Sequence, residues 1–357
     1  MTTTGPGLRE RAMRFVEAAT TPLLPRDYLD VFAPLLSGAD LRAKVVDVRS
    51  ETADAATVVL RPGRGWREHV PGQYVRIGVD VDGVRQWRAY SVTSDRAAAD
   101  GTISICVKAI PGGKVSNHVV RELRPGTVVQ LDQATGEFTL PEQRPVKALF
   151  VTAGSGITPV MGMLRNHLDE LPDAVLVHSA PTADDVVFGA ELRAMAASGR
   201  LRLVERHTEV DGFLKPAELE ELVPDLAERT TWACGPAGLL EALEEHWAAE
   251  EISDQLLIEQ FRPRVLVTGE GGSVTYNQTG TTVPSDGATP ILDAAEEAGL
   301  IMPSGCRMGI CYGCVLPLRE GAVRDLRNGE LTVAAPGDGV LVQTCVSAAA
   351  GDCDIDH

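Results

Sequence analysis

The chain reads as three folded units in series: an antiparallel β-barrel, an α/β domain on a parallel sheet, and a small α+β domain. Three observations predict this. Short alternating runs with turn residues between them begin at Leu41. Near Gln143 they give way to continuous apolar runs that alternate with helical stretches. The chain then closes on a segment that holds "SGCRMGICYGC", with a further cysteine downstream. The boundaries read as 1–40 for a lead-in, 41–143 for the barrel, 144–262 for the α/β unit and 263–357 for the last.

The lead-in contains "LRERAMRFVEAA", apolar at helical spacing, then "TPLLPRDYLDVFAPLLSG", punctuated by Pro22, Pro25 and Pro34. It reads as a helical packing appendage. The barrel strands are "AKVVDVRSET", "ATVVLRP", "QYVRIGVDVDG", "RQWRAYSVTS", "GTISICVKAI" and "TVVQLDQATGEFTL". Asp82-Gly83 marks a hairpin turn. In the α/β unit "KALFVTAG", "AVLVHSA", "RLRLVERHT" and "TTWACGP" are buried strands. Stretches such as "ITPVMGMLRNHLDE" and "AGLLEALEEHWAAE" are the helices between them, so both faces of a parallel sheet are covered. The last unit reads as a hairpin, "RVLVTGEGGSVTYNQTGTTVPS", a helix, "TPILDAAEEAGL", and the cysteine loop.

Composition narrows the function. A formal net charge of −17 argues against a nucleic-acid partner and for soluble partners with basic faces. No run of apolar residues is long enough to span a bilayer, and "MTTTGPGLRERAMRF" lacks the layout of a secretory signal. A cytoplasmic chain is the expectation. In that compartment clustered cysteines point to a metal site rather than to disulfides.

Cys306, Cys311, Cys314 and Cys345 form C-x4-C-x2-C with a distant fourth, the spacing of plant-type [2Fe-2S] sites. Gly305, Gly309 and Gly313 let the backbone wrap the cluster. Zinc sites usually pair two close C-x2-C units, which this spacing lacks. Cys353 competes as the fourth ligand. Cys345 is preferred because "VLVQTCV" reads as a strand while Cys353 lies in the acidic tail.

"RAYS" ends a barrel strand, and "PGGKVSNHV" follows with a glycine pair opening a helix and a serine in its first turn. Such a helix start binds an anion. An arginine, an aromatic and a phosphate loop on one barrel suggest a flavin nucleotide. Arg88 would pair with its pyrophosphate, Tyr90 would lie against the ring, and Ser91 would offer a hydroxyl to the ring edge. Val107, on the strand before the loop, belongs to the same set. "TAGSGITP" joins the first strand and helix of the α/β unit. It lacks the strict G-x-G-x-x-G fingerprint but keeps Gly154 and Gly156 for close approach to a pyrophosphate, with Thr152, Thr158 and Pro159 around them. Ser179, where NAD enzymes often carry an acid, and Arg206 on the next strand lean toward NADPH, with NADH as the alternative. "CGPAG" places Cys234, Gly235 and Pro236 at the carboxyl edge of the sheet, where ligands bind.

Together these motifs resemble the ferredoxin–NADP reductase superfamily with a plant-type ferredoxin fused at the C-terminus. The phenylacetyl-CoA oxygenase reductases and the actinobacterial reductases of acyl-CoA desaturases are the most similar types. The resemblance implies a ferredoxin-like β-grasp fold for 263–357. It implies that Gly113, Lys114, Val115 and Ser116 hold the pyrophosphate of FAD, FMN being the alternative in some relatives. It sets Cys234 near the nicotinamide carbon that gives up hydride, and Glu259 and Phe261 of "EQF" beside the flavin. The implied activity is an NAD(P)H-dependent oxidoreductase. Electrons would run from NADPH through FAD and the cluster to a separate oxygenase or desaturase. An acyl-CoA desaturase or di-iron monooxygenase leads, with a haem-thiolate monooxygenase or Rieske oxygenase next. A redox sensor without a dedicated acceptor would not need a complete hydride site. The expected chain is a monomer whose acceptor carries a basic docking patch and can be a peripherally contacted membrane desaturase.

Overall fold

Strands β1 (Arg42–Ser50), β2 (Ala55–Pro62), β3 (Tyr74–Val81), β4 (Val84–Ser91), β5 (Ile103–Lys108) and β6 (Val128–Leu131) form one antiparallel sheet in the order β4-β3-β6-β1-β2-β5. The computed structural model describes residues 35–36, 40–96, 100–261 and 265–357. The expected helices of the lead-in lie outside them. A bridge from Val92 to Ile105 joins the two ends of the sheet and closes the barrel. The β3–β4 hairpin turns on Asp82 and Gly83, both at positive φ (51° and 78°), as an Asp-Gly hairpin turn requires. Helix α1 (Lys114–Arg121) caps the barrel through buried Val115 and Val119.

The second unit is a five-stranded parallel sheet of β7 (Lys147–Ala153), β8 (Asp173–Ala180), β9 (Arg202–His207), β10 (Thr230–Cys234) and β11 (Leu256–Glu259), ordered β11-β10-β7-β8-β9. Helices α2 (Ile157–His167), α3 (Gly189–Ala197), α4 (Thr208–Asp211), α5 (Pro216–Leu222) and α6 (Ala237–Ala249) are interleaved with these strands. The continuous apolar run of β7 is explained by burial on both sides. Ala148 and Phe150 join one core cluster, while Leu149 and Val151 join another. The first cluster also takes in Phe138 and Leu140 from the chain leaving the barrel, and the Trp232 indole N–H donates to the Thr139 carbonyl at 3.2 Å. The α/β sheet and the barrel thus share a core.

The third unit combines β12 (Gly272–Tyr276), β13 (Thr281–Ser285), α7 (Ile291–Glu297), β14 (Val315–Asp325), β15 (Leu331–Ala334), β16 (Val340–Gln343) and β17 (Ser347–Ile355). Its sheet runs β13-β12-β17-β14-β15, with β16 paired to β14 and a parallel β12–β17 pair at the centre. One expectation needs correction. Cys345 is not on a strand: β16 ends at Gln343, and the residue sits in the turn before β17. Leaving the ladder frees its thiol to meet Cys314. No helix among the described residues is long and apolar enough to cross a membrane.

Candidate functional site

The order of the parallel sheet reverses at β7, between β8 and β10, and the carboxyl ends of those strands are where such sheets bind ligands. "GSGITP" leaves β7 at this point and "CGP" leaves β10. Thr152, Cys234 and Glu259 stand in register across β7, β10 and β11. Gly156 has to be glycine, because a Cβ there would come within 2.0 Å of the Cys234 carbonyl oxygen. Gly154 takes φ 54° with open space beside it, which leaves room for a ligand's close approach. Helix α2 starts with no side-chain cap; the Gly154–Gly156 turn runs directly into it, and the Ile157 N–H donates back to the Gly154 and Ser155 carbonyls.

The barrel meets this edge directly. Ser91, at the end of β4, is buried, and the Thr158 hydroxyl donates to its Oγ at 3.3 Å. Along the same helix Arg165 donates to the Thr93 carbonyl at 2.6 Å, and Asn166 donates to the Ser94 carbonyl at 3.0 Å. Gly162 lets α2 approach, since a Cβ there would lie 2.5 Å from the Val92 oxygen. The flavin motif and the nicotinamide loop are therefore fixed against each other by one helix.

Arg88 is half-buried and donates to the Trp87 carbonyl at 2.7 Å. Burial, and then the neighbouring Arg307, lower its pKa to about 10, so it remains a cation at neutral pH. Burial raises the Tyr90 phenol above its ordinary value and keeps it neutral. Val107 is buried in the barrel core. The phosphate loop has the expected helix start, with Gly113 as N-cap and Lys114 first in α1. Ser116 accepts from the Ile110 N–H at 3.3 Å and donates to the Gly113 carbonyl at 3.4 Å, so its hydroxyl braces the loop.

Glu259 carries the most perturbed carboxyl at the site. Burial pushes its pKa up to about 8, and its Oε2 is buried without a hydrogen-bond partner. Cys234 is fully buried, and burial together with the nearby Glu259 keeps its thiol protonated. Phe261 is partly exposed just beyond. Ser179 and Arg206 are register neighbours on β8 and β9, and the Ser179 Oγ is buried without a partner. The Arg206 guanidinium, however, turns to Glu218 at 3.0 Å and to the Asp211 carbonyl at 3.0 Å. Pro236 caps α6, and Gly235 packs against Leu239 and Ala153. An orphaned carboxyl oxygen, an orphaned hydroxyl and an open glycine loop along the carboxyl edge of one sheet fit a flavin and a nicotinamide nucleotide.

The four thiols come as two pairs. Cys311 accepts from the backbone N–H of Cys306 at 3.1 Å and of Gly313 at 3.4 Å, and Cys306 accepts from the Met308 N–H at 3.3 Å. Arg307 and Tyr312 adopt positive φ (59° and 56°), which folds the loop around the sulfurs. Cys314 is held below the ordinary thiol pKa and Cys345 above it, because a hydrogen bond between them places the proton on Cys345. Two pairs with backbone N–H groups aimed at sulfur suit a two-iron cluster, in which each iron takes two terminal thiolates. Cys353 instead lies within β17, opposite Val274 and Gly321.

Four further residues face this loop from the barrel, and the sequence motifs do not mark them: Tyr74, Arg76, Gln86 and Trp87. Ser304 donates to Gln86 at 3.4 Å, and Arg76 lies over the Trp87 ring at 5.7 Å and pairs with Asp132. Their proximity to the cysteines depends on how the domains dock, which local spacing does not encode.

Comparison with known proteins agrees with this geometry. Residues 43–140 match the oxidoreductase FAD-binding domain family, 150–245 the oxidoreductase NAD-binding domain family and 274–350 the 2Fe-2S iron-sulfur cluster binding domain family. An NADPH oxidoreductase of Mycobacterium tuberculosis is 47% identical over 353 residues, covering 97% of this chain and 92% of the relative. A glycine betaine monooxygenase reductase subunit of Pseudomonas aeruginosa is 30% identical over 319 residues, covering 80% and 87%. The solved structure of phthalate dioxygenase reductase superposes with a TM-score of 0.60 at 20% identity, covering 89% of this chain and 98% of that one, which shows a shared fold. With all three modules matched in this order, the chain belongs to the ferredoxin–NADP reductase superfamily, in the branch that carries a C-terminal plant-type [2Fe-2S] domain.

Proposed function

We propose that the protein takes electrons from NADPH and delivers them singly to a separate oxygenase or desaturase. One observation carries this reading: the nicotinamide loop and the cysteine loop both meet the barrel at β4, one through Thr158 and Ser91, the other through Ser304 and Gln86. The barrel therefore stands between the two. When bound, the flavin supplies the conversion of a two-electron hydride into single electrons, and the cluster supplies the one-electron outlet.

The chain's own residues bind, orient and exclude water. Arg88 and the loop Gly113–Ser116, with Lys114 and Val115, would hold the FAD pyrophosphate. Tyr90 and Val107 would shape the ring's surroundings. Thr152, Gly154, Gly156, Thr158 and Pro159 would cradle the NADPH pyrophosphate, and Cys234, Gly235 and Pro236 would seat the nicotinamide. Ser91 and Glu259 are the hydroxyl and the neutral carboxyl that could hold a proton at the ring edge, with Phe261 covering it. Cys306, Cys311, Cys314 and Cys345 would ligate the cluster. NADPH is favoured by the name of the Mycobacterium tuberculosis relative and by Ser179. The hold of Glu218 on Arg206 means that this arginine must let go of a carboxylate to meet a 2′-phosphate. The domain limits belonging to this reading are 41–143, 144–262 and 263–357. An oxygenase acceptor is supported by the monooxygenase reductase among the relatives. An acyl-CoA desaturase or di-iron monooxygenase remains the leading specific choice from the sequence motifs.

Replacing Cys314 by serine should remove the cluster while the flavin stays reducible by NADPH. Ferricyanide reduction should persist and cytochrome c reduction should fall sharply. Equal loss of both would show that the cysteine loop supports the whole chain and would sink the proposed route.

A further inference from the structure

His178 is fully buried near the carboxyl end of β8. Its Nδ1 lies 2.8 Å from the hydroxyl oxygen of Thr152, which is fully buried as well. Its Nε2 is buried with no hydrogen-bond partner among the described residues. His178 is the register partner of Thr152 on β7, and Thr152 is the register partner of Cys234 on β10. The three side chains therefore form a row across one face of the sheet. Two residues earlier on each strand, the same face holds Leu176, Phe150 and Trp232, all core residues. A half-satisfied imidazole in that setting carries a desolvation cost that an apolar residue would avoid.

Burial lowers the His178 pKa to about 4, so the ring is neutral at pH 7 and carries one proton. Glu205, its register partner on β9, is itself taken up by Arg193 at 2.8 Å. One proton has to serve two nitrogens. On Nε2 it would be a buried donor without an acceptor, the rarer fault in protein interiors. On Nδ1 it makes the bond to Thr152. The imidazole then donates, the Thr152 oxygen accepts, and the hydroxyl's own proton is turned away from the ring. On the far side of Thr152 in the row stands Cys234, and the glycine loop leaves β7 two residues after Thr152.

We propose that His178 is a positioning residue for the nicotinamide end of the nucleotide, fixing the Thr152 hydroxyl with its proton toward the Cys234 edge on which the nicotinamide is seated. The inference rests on the reading that the β7 loop and Cys234 hold a nicotinamide nucleotide. His178 does not touch the nucleotide, exchanges no proton and carries no part of the hydride. It acts through Thr152 on the floor of the site. Hydride transfer depends steeply on placement, so a small loosening there lowers its rate.

The test uses the full-length holoprotein with His178→Leu, His178→Asn and the double variant His178→Leu/Thr152→Val. The readouts are the limiting rate of flavin reduction at saturating NADPH, the melting temperature, and the affinity for 2′,5′-ADP, which lacks the nicotinamide. His178→Leu should slow flavin reduction about tenfold and leave 2′,5′-ADP binding unchanged. NADH should be affected as strongly as NADPH, since the two share the nicotinamide. His178→Leu should also melt at a lower temperature, because it strands the Thr152 hydroxyl in the core. Removing both partners should restore the melting temperature, yet flavin reduction should stay slow. His178→Asn, which keeps a side-chain donor near the Nδ1 position, should recover part of the rate. If His178→Leu does not fold, the double variant carries the test. A double variant that reduces its flavin as fast as wild type would overturn the assignment, because the pair would then serve stability alone. So would a loss of 2′,5′-ADP affinity parallel to the loss of rate, which would mean that the whole loop had moved. A wild type whose flavin neither NADPH nor NADH reduces would instead overturn the reading on which the inference rests.

Discussion

Glu259 is the residue where electrostatics makes the sharpest statement. Its carboxyl has a folded pKa near 8 because burial disfavours the charged form, so it is neutral at pH 7 and ionises as pH rises through 8. A negative charge there would oppose the arrival of a hydride's electron pair on an adjacent flavin. Flavin reduction by NADPH should therefore slow above pH 8, by about tenfold per unit once the carboxylate dominates. Glu259→Gln should remove that alkaline limb. A limb that survives in the variant belongs to another group. Glu259 was legible in the sequence through "EQF", but its orphaned oxygen was not, because burial is a property of the docked domains. Gln86 was illegible for the same reason: its partner Ser304 lies far along the chain, in another domain. Arg206 was legible as a position and misleading as a free charge, since its carboxylate partner sits on a helix whose docking the strand pattern does not fix.

At the scale of elements, period and turn chemistry carried most of the reading. Alternation marked the barrel strands, continuous apolar runs marked the strands buried on both faces, and Asp82-Gly83 marked its hairpin. Cys345 shows the limit. An apolar run continues through it, but the thiol needs a turn to reach Cys314, and the ligand requirement overrides local preference. The β7–α2 turn offers a test at this scale. Gly156→Ala would drive a Cβ into the Cys234 carbonyl, which is backbone and cannot rotate away. A cost of about 1–3 kcal/mol is expected, typical of overpacking in a tight core. Gly154→Ala meets open space and costs about 1–2 kcal/mol, from its positive φ alone. The first variant should melt at the lower temperature and show the larger rise in KM for NADPH, with the flavin still bound. The reverse order would mean that the β7–β10 contact yields more easily than its geometry implies.

The whole molecule has to reconcile a fixed interior with a transient exterior partner. The barrel and α/β domain share a core, and the cysteine loop turns one side to the barrel. Arg307 in the cysteine loop is tied to Asp293 and Glu296, so it braces the loop rather than presenting a charge to an acceptor. Tyr312 is 70% exposed and Ile310 52%, and these form the free edge of the loop. From Arg264 to His357 the chain has twelve Asp and Glu against five Arg and no Lys, a net charge of −7. We propose that the acceptor docks a basic surface around this edge. Complementary charge speeds encounter without the large interface that would slow release. Screening shortens from about 10 Å at 0.1 M salt to about 3 Å at 1 M, so the second-order rate of acceptor reduction should fall over that range. Ferricyanide reduction, limited by hydride transfer, should stay level. Tyr312→Ala should slow acceptor reduction at every salt concentration, because it removes contact area at the cluster edge rather than charge. A rate that is flat or rises with salt would assign the acidic surface to solubility alone and leave the apolar edge as the docking determinant.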